Sequence, residues 1–597
     1  MGPNNALRHG NSPLHSGLFV LSLLVGLAAA FLCFALFLQT TAVSRLRLAL
    51  TLAIFLSVTA LHYIASVRWL APRLSTAAGE MRRAAVAAIL LAAVFLPLLY
   101  RSPEYPRSPL LRPWSEIAVQ FELAAGSPPV ILRADDVRLV MGRDTLDAGS
   151  FQRVGAWAVS GGSLSLSPAQ TGSLQWTGNV PDTVTLAIQP PAAEGTITVY
   201  WDGVRTALPM HASATSPMAM TRKFDLPWGY NLALFLSAFV IVSWALGVLA
   251  LFFSSRLTAL LSRASPSLLW LGIILCIGLA ALTVKWQVDS LQGGTQYLTT
   301  TQLMRHENVL TGRAPDPWQY RVLYEVFAEA FVRLYQFLAI PGALAAGFIT
   351  LRLLQNVAIF LVALGLYRKA SGSDALALLG ILLLAGSMAR AFYDNDLSFN
   401  TYFDLLFYLL AGLLLLARRL WAVVIVTFLA ALNRETSGLI PFLMAAATIG
   451  EGAMPRLRKF IPALISLLVF AAVFVGLRAW FPTRPLYIPY KHAPGIPLLL
   501  YNLTRQFTWQ QLFATLGLAP LVSVALFPAW PRLWQRFFLV LCPVWFLVHS
   551  FASVMAETRL FLVPQALIFI PGVLFGLRYV LDPERRLPAF SFQLGET

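Results

Sequence analysis

Apolar runs long enough to cross a bilayer recur along the whole of this chain, and the arginines between them fall on alternate sides. Lipid offers the backbone no hydrogen-bond partner, so each run of about 20 such residues must cross a ~30 Å hydrocarbon core as a helix. The runs read approximately 17–38, 46–67, 84–100, 229–253, 267–284, 343–366, 374–389, 402–417, 420–449, 460–479, 510–529, 536–550 and 559–578. Arginine-rich loops mark the cytoplasmic face. Arg68, Arg73, Arg82 and Arg83 follow the second run, Arg256 and Arg263 the fourth, Arg368 and Lys369 the sixth, Arg418 and Arg419 the eighth. Arg456, Arg458 and Lys459 precede the tenth, Arg532 and Arg536 the twelfth, and Arg578, Arg585 and Arg586 close the chain. All share one side if 420–449 enters and leaves by the same face, which makes the amino terminus cytoplasmic.

That condition has a local cause. The 420–449 run is interrupted by Asn433, Arg434, Glu435, Thr436, Ser437 and Gly438, then Pro441. Two half-helices meeting at a polar break are tolerated in a membrane where the break faces protein or a wet cavity. One long kinked span is the alternative.

Composition excludes other classes. Charged residues are 12% and hydrophobic ones 58%, while a soluble globule carries about 25% charge. The net charge of +17 sits in short loops at helix ends, where topology explains it, so no nucleic-acid partner is expected. Cys33, Cys276 and Cys542 all lie in apolar runs, which argues against a disulfide framework or zinc site. The first run is long for a signal-peptide core and reads as an uncleaved anchor.

The segment 104–226 differs in kind. Short runs with period-two alternation, separated by Gly, Pro, Asn and Asp, predict a β-sandwich of roughly six to eight strands. Trp201-Asp202-Gly203-Val204 reads as a tight hairpin turn. Following the third run, this domain is expected outside the cytoplasm. Trp157, Trp176, Tyr200 and Trp201 either fill its core or stack on sugar rings. The chain thus divides into a three-span unit 1–103, the sandwich 104–226, a connecting span 227–266, a multi-span core 267–582 and a cytoplasmic tail 583–597. The fold class is a polytopic α-helical membrane protein with an inserted extracytoplasmic β-sandwich.

Unusual polar residues gather in the expected external loops. Asp289 emerges beyond the fifth run beside a glycine pair. Two short surface helices are predicted over 295–310 and 318–337, the second with Val322, Phe327, Ala330 and Leu334 as an apolar stripe. Arg321, Glu325, Glu329 and Arg333 would form its solvated face, with i,i+4 pairing. Asp394-Asn395-Asp396 can present two carboxylates to one Mg²⁺ or Mn²⁺, or Asp396 or Ser398 can cap the next helix. Asp404 is a carboxylate in or near a span, where acids serve a site or an ion pair. Arg434 can clamp a phosphate bidentately or pair with Glu435. Glu557 and Arg559 form a second such pair, and Lys491 and His492 sit in a Pro-rich external loop. No Walker loop, G-x-S-x-G elbow or H-E-x-x-H occurs.

On these residues the stretch 267–580 resembles the GT-C glycosyltransferase superfamily. The similar features are the Asp289 loop with its juxtamembrane helices, the acidic Asp394/Asp396 loop, the L-N-R-E-T centre Leu432–Thr436, and Arg559 in ETRLFLVP. The chain departs from metal-dependent members in carrying a single aspartate at the first loop. The resemblance implies an enzyme of the bacterial inner (plasma) membrane that moves a sugar from a polyprenyl-phosphate donor to an envelope glycan or lipid acceptor. It implies Asp289 as general base and Arg434, Arg321 and Arg559 at the donor phosphate. Asp394 and Asp396 would hold a divalent cation or position the acceptor, with Asp404 and Glu435 also placing substrate. A flippase of a lipid-linked saccharide and a non-catalytic assembly protein of the envelope are the competing readings.

Overall fold

A computed structural model describes residues 12–34, 45–71, 78–99, 114–141, 144–160, 163–180, 183–191, 193–210, 217–223, 228–252, 266–291, 296–393, 396–449, 457–486 and 492–581. Arg73, Arg256, Arg263, Arg456, Arg585, Arg586 and the tail 583–597 lie outside them. Among the described residues nine helices are long and apolar enough to span a membrane, and two more are apolar but shorter. The protein is a polytopic helical membrane protein with an inserted antiparallel sheet domain. Its chain forms two compact units, Met1–Met81 with Leu99–Ala245, and Arg82–Leu98 with Leu246–Thr597.

In the first unit α1 (Ser12–Cys33) packs on α2 (Arg45–Ala65), with Ser22 Oγ 2.7 Å from His62 Nδ1. The helix α3 (Ala78–Leu99), expected to complete a three-span group at 1–103, instead places Arg82–Leu98 in the second unit. A helix joins whichever neighbours bury its apolar face, and sequence order does not reveal those. Among the described residues the sheet domain has twelve strands, more than the six to eight expected, because several are only three or four residues long. They form sheets ordered β11-β10-β1-β8-β5, β12-β9-β3-β4 and β2-β7-β6. These run β1 (Trp114–Leu123), β2 (Val130–Leu132), β3 (Val137–Met141), β4 (Asp144–Leu146), β5 (Gln152–Gly155) and β6 (Ala158–Ser160). The remainder are β7 (Ser163–Leu166), β8 (Thr171–Asn179), β9 (Thr183–Ile188), β10 (Gly195–Trp201), β11 (Val204–Met210) and β12 (Met218–Lys223). Alternate residues such as Ile117, Val119 and Phe121 fill one core shared by all three sheets. Asp202 and Gly203 both have positive φ (49° and 81°), the type I′ geometry that matches strand twist. Trp201 is buried in the core, Trp157 and Trp176 pack against it, and Tyr200 stays 36% exposed. The helix α4 (Trp228–Phe252) leaves the domain.

The second unit continues through α5 (Pro266–Asp289), α6 (Leu303–Leu310), α7 (Val322–Phe337), α8 (Ala343–Ser371) and α9 (Asp374–Met388). Next come α10 (Phe399–Leu416), α11 (Leu420–Ala431), α12 (Ile440–Thr448), α13 (Ile461–Trp480) and α14 (Ile496–Thr504). The unit closes with α15 (Gln506–Leu516), α16 (Ala519–Ala525), α17 (Arg532–Ala552) and the helical run α18 (Thr558–Leu581). Local signals set several ends. Ser373 caps α9 by accepting from the Leu376 amide, and Gly372, at φ 64°, closes α8.

Side-chain pairings sort these helices between two ends. At one, Gln287 of α5 meets Tyr402 of α10, Asn433 meets Asn400, Glu435 meets Arg478 of α13, and Arg559 of α18 meets Tyr393. At the other, Arg578 bonds the Ser371 carbonyl, Arg368 pairs with Asp374, and Arg536 bonds the Ile449 carbonyl. Arg368, Arg536 and Arg578, all from expected cytoplasmic loops, stand at this second end. Exposed Trp270 and Trp286 stand near opposite ends of α5, about 24 Å apart at 1.5 Å per residue, as interfacial tryptophans do.

Pairings along α13 decide the path of 420–449. Thr427 of α11 touches Ser466 (2.7 Å), Gly438 abuts Phe470, and Glu435 meets Arg478 (3.8 Å). The break therefore lies along the second half of α13, between Phe470 and Arg478, while Ile449 returns to Arg536 at the near end. The segment is a hairpin, not one kinked span. The expected single span 510–529 is corrected: Gly517, at φ 61°, divides it into α15 and α16. A Cβ at Gly517 would stand 3.2 Å from the Val94 carbonyl, so glycine permits that close approach.

Candidate functional site

The break between α11 and α12 is tied to α10 and α7 by hydrogen bonds that run both to and from it. Asn433 donates to the Asn400 carbonyl (2.7 Å), Tyr408 to the Thr436 carbonyl (2.5 Å), and the Leu323 amide to the Leu432 carbonyl (3.2 Å). Thr436 Oγ1 donates to Asp404 (2.7 Å). Held so, Arg434 lies 3.4 Å from Thr401 Oγ1 and 3.9 Å from Asp404. Its neighbour Glu435 accepts from Arg321 at 3.1 and 3.3 Å and faces Arg478 at 3.8 Å. Arg434 and Arg321 are buried. Arg434 Nε, Asp404 Oδ1, Asn433 Oδ1 and Glu435 Oε1 are buried with no hydrogen-bond partner among the described residues. Buried polar atoms left this way are costly, so such a cluster fits a place where a polar ligand completes the bonding.

The juxtamembrane helices close one side of this group. The guanidinium groups of Arg305 (α6) and Arg321 lie 4.8 and 4.9 Å from the Trp318 ring, and Arg305 ion-pairs with Asp396. The solvated face expected on α7 is corrected at Arg321 and Glu325, both buried, and not at Arg333, which is exposed. Glu325 is fully buried against His306 Nδ1, whose Nε2 lies 2.9 Å from Glu329, while Val326, Phe327, Leu334 and Phe337 point outward. The stripe has the predicted period. The charged side divides: Glu325 turns inward to a histidine partner, while Arg333 stays 76% exposed. The expected Glu329–Arg333 pair is present at 2.6 Å. Burial works against the His306 imidazolium, yet hydrogen bonds and charge from Glu325 and Glu329 raise its pKa above 6.5. The His306 and Arg333 hydrogen bonds hold Glu329 below the usual carboxylate range.

The sequence-predicted residues divide as follows. Arg321, Arg434, Glu435 and Asp404 come together directly, and Asp396 joins them through Arg305 and Trp318. Asp289 stands at the same end as the last residue of α5, largely exposed and ion-paired with Lys285. Arg559 reaches the Tyr393 carbonyl (2.9 Å) and Glu557 (2.7 Å). Asp394 and Lys491 lie outside the described residues. Asp396 is engaged by Arg305 and the Ser398 hydroxyl, and no group of three His, Cys, Asp or Glu ligands occurs among the described residues. Sequence reasoning passed over Arg305, Trp318 and Arg478. It also passed over Arg352, a lone cation in an apolar run whose position was signal enough.

No family model matches the chain, and no curated protein is similar to it. Among solved structures it is similar to the arabinosyltransferase EmbB from Mycobacterium smegmatis, at 14% identity and a TM-score of 0.26. That match covers 84% of this chain and 53% of the other, so the chain spans about half the length of EmbB.

Proposed function

We propose that this protein is a membrane glycosyltransferase of GT-C type. It would move a sugar from a polyprenyl-phosphate donor to an envelope glycan or lipid acceptor on the external face. One observation carries the reading: the hairpin break brings Arg434 and Arg321 together, each beside a carboxylate that orients it, at the end opposite the loop arginines. By the positive-inside rule the loop arginines are cytoplasmic, so the break faces the exterior and the amino terminus the cytoplasm. The sheet domain, following α3, would stand on the external side of the bacterial plasma membrane.

The chemistry follows from the charges. An acceptor hydroxyl gives its proton to Asp289, its oxygen bonds the anomeric carbon, and the carbon–oxygen bond to phosphate breaks. The leaving phosphate gains a negative charge as the bond breaks, and Arg434 and Arg321 stabilise it more than they do the ground state. Asp404 and Glu435 hold the two guanidinium groups in place. Asp396 and Arg559 would position substrate at the same mouth. A flippase would need polar groups on a path through both ends, and the second broken segment, at Gly517, carries no charged side chain.

The test is sugar transfer from a panel of polyprenyl-phosphate sugars by protein in proteoliposomes. Asp289→Asn should slow transfer by ~10²–10⁴-fold, the contribution of a general base. Full activity in that variant removes Asp289 as base. Absence of transfer by the wild type across the panel overturns the reading.

A further inference from the structure

Arg352 carries a full charge into the spanning part of α8 and is fully buried. Burying an isolated guanidinium is expensive, and a leucine would pack there at lower cost. Its partners are neutral. Nε donates to Gln287 (2.9 Å), Nη1 donates to Gln355 (2.6 Å), and the guanidinium lies over the Tyr402 ring. No described carboxylate stands within ion-pair distance of it.

The net extends from those partners to three helices. Gln287 donates to the Tyr402 hydroxyl (2.8 Å), and Gln355 donates to the Phe399 carbonyl (2.7 Å) at the first turn of α10. One turn further along α8, Asn356 donates to Thr283 of α5 (3.0 Å). Arg352 and Asn356 are i,i+4 on α8, and Gln287 and Thr283 are i,i+4 on α5, so two consecutive turns of each helix are matched. A rotation of α5 by one residue, about 100°, would break both contacts. Asp289 is two residues beyond Gln287. Thr401 and Asp404, which face Arg434, lie on the turn of α10 fixed by Gln355 and Tyr402.

We propose that Arg352 is a positioning residue: a register lock between α5, α8 and α10 that sets where Asp289 stands relative to Arg434. The inference rests on reading Asp289 as the base. Its geometric part, the register of α5, can be measured without transfer.

Two variants test it, Arg352→Lys, which keeps the charge and loses the fork, and Gln287→Met, which keeps the volume and loses both bonds. One readout is the spin-label distance distribution between Asp289→Cys and Trp480→Cys, with the native cysteines replaced. The other is steady-state transfer, alone and on an Asp289→Asn background. The distribution should broaden or shift in both variants. Transfer should fall roughly 10²-fold in kcat, the scale of an ångström-sized misplacement, with donor KM nearly unchanged. On the Asp289→Asn background neither change should cost more. An unchanged distance distribution in folded variants, or losses that add to that of Asp289→Asn, overturns the proposal. A shifted distribution in a protein whose wild type transfers no sugar leaves the lock standing and removes the transferase reading.

Discussion

Arg434 has two jobs that ordinary substitution would confound. It neutralises Asp404, which is fully buried 3.9 Å away, and in the proposed function it would meet the donor phosphate. Removing one partner of a buried pair leaves the other uncompensated, so Arg434→Ala should destabilise the fold by ~3 kcal/mol or more. Replacing both, as Arg434→Met with Asp404→Leu, should restore thermal stability in detergent while transfer stays lost. Recovery of transfer in the double variant would mean that Arg434 serves the fold alone. His306 gives a pH-dependent case. Its folded pKa lies above its ordinary value, so its stabilising contribution is whole below ~6.5 and declines as pH rises through the raised folded value. Glu329, held low, contributes above ~4.3 and loses that contribution as pH falls through its folded value. The stability gap between wild type and His306→Gln should therefore be widest near pH ~6 and narrow towards pH ~9. A gap that widens with rising pH would contradict a protonated bridge.

At the scale of elements, the sequence revealed what the bilayer dictates and missed what neighbours decide. Span positions were legible because lipid forces a helix of fixed length, and the break at 433–438 was legible because polar residues there have no other excuse. The division at Gly517 was hidden, since its cause is the approach of the Val94 carbonyl inside an otherwise apolar run. On α7 the periodicity gives the stripe but not the His306 side chain packed behind it, so Glu325 reads as solvated although His306 holds it inside. The site followed the same division: Arg321, Arg434 and Glu435 stood out by residue type, whereas the Arg305–Asp396 pair exists only through tertiary folding. The hairpin itself depends on a small residue. A Cβ on Gly438 would meet the Phe470 ring at 2.8 Å, so Gly438→Val should press α13 away from the break, costing about 1–3 kcal/mol. Adding Phe470→Ala should recover part of that loss in thermal unfolding. If Phe470→Ala only deepens the loss, the two residues are not the contact that shapes the turn.

For the whole molecule, sidedness is the property on which the proposed chemistry depends. The loop cations Arg368, Arg418, Arg458, Arg532 and Arg578 flank helix ends on one side of the second unit, and Asp289, Arg434 and Arg478 stand at the other. A polyprenyl-phosphate donor presents its phosphate at one membrane surface, so only one of these ends can receive it. Neither α11 nor α12, at 12 and 9 residues, is long enough to cross alone, and the Arg536–Ile449 contact brings the segment back to the face it enters. Single cysteines at Trp480 and Asp289 should then react with an impermeant maleimide added outside intact cells. Cysteines at Arg419 and Leu457, which bracket the hairpin, should both react only after permeabilisation. Labelling of 419 and 457 from opposite sides would make the segment a true crossing, reverse every span after it, and separate Asp289 from Arg478 by the membrane.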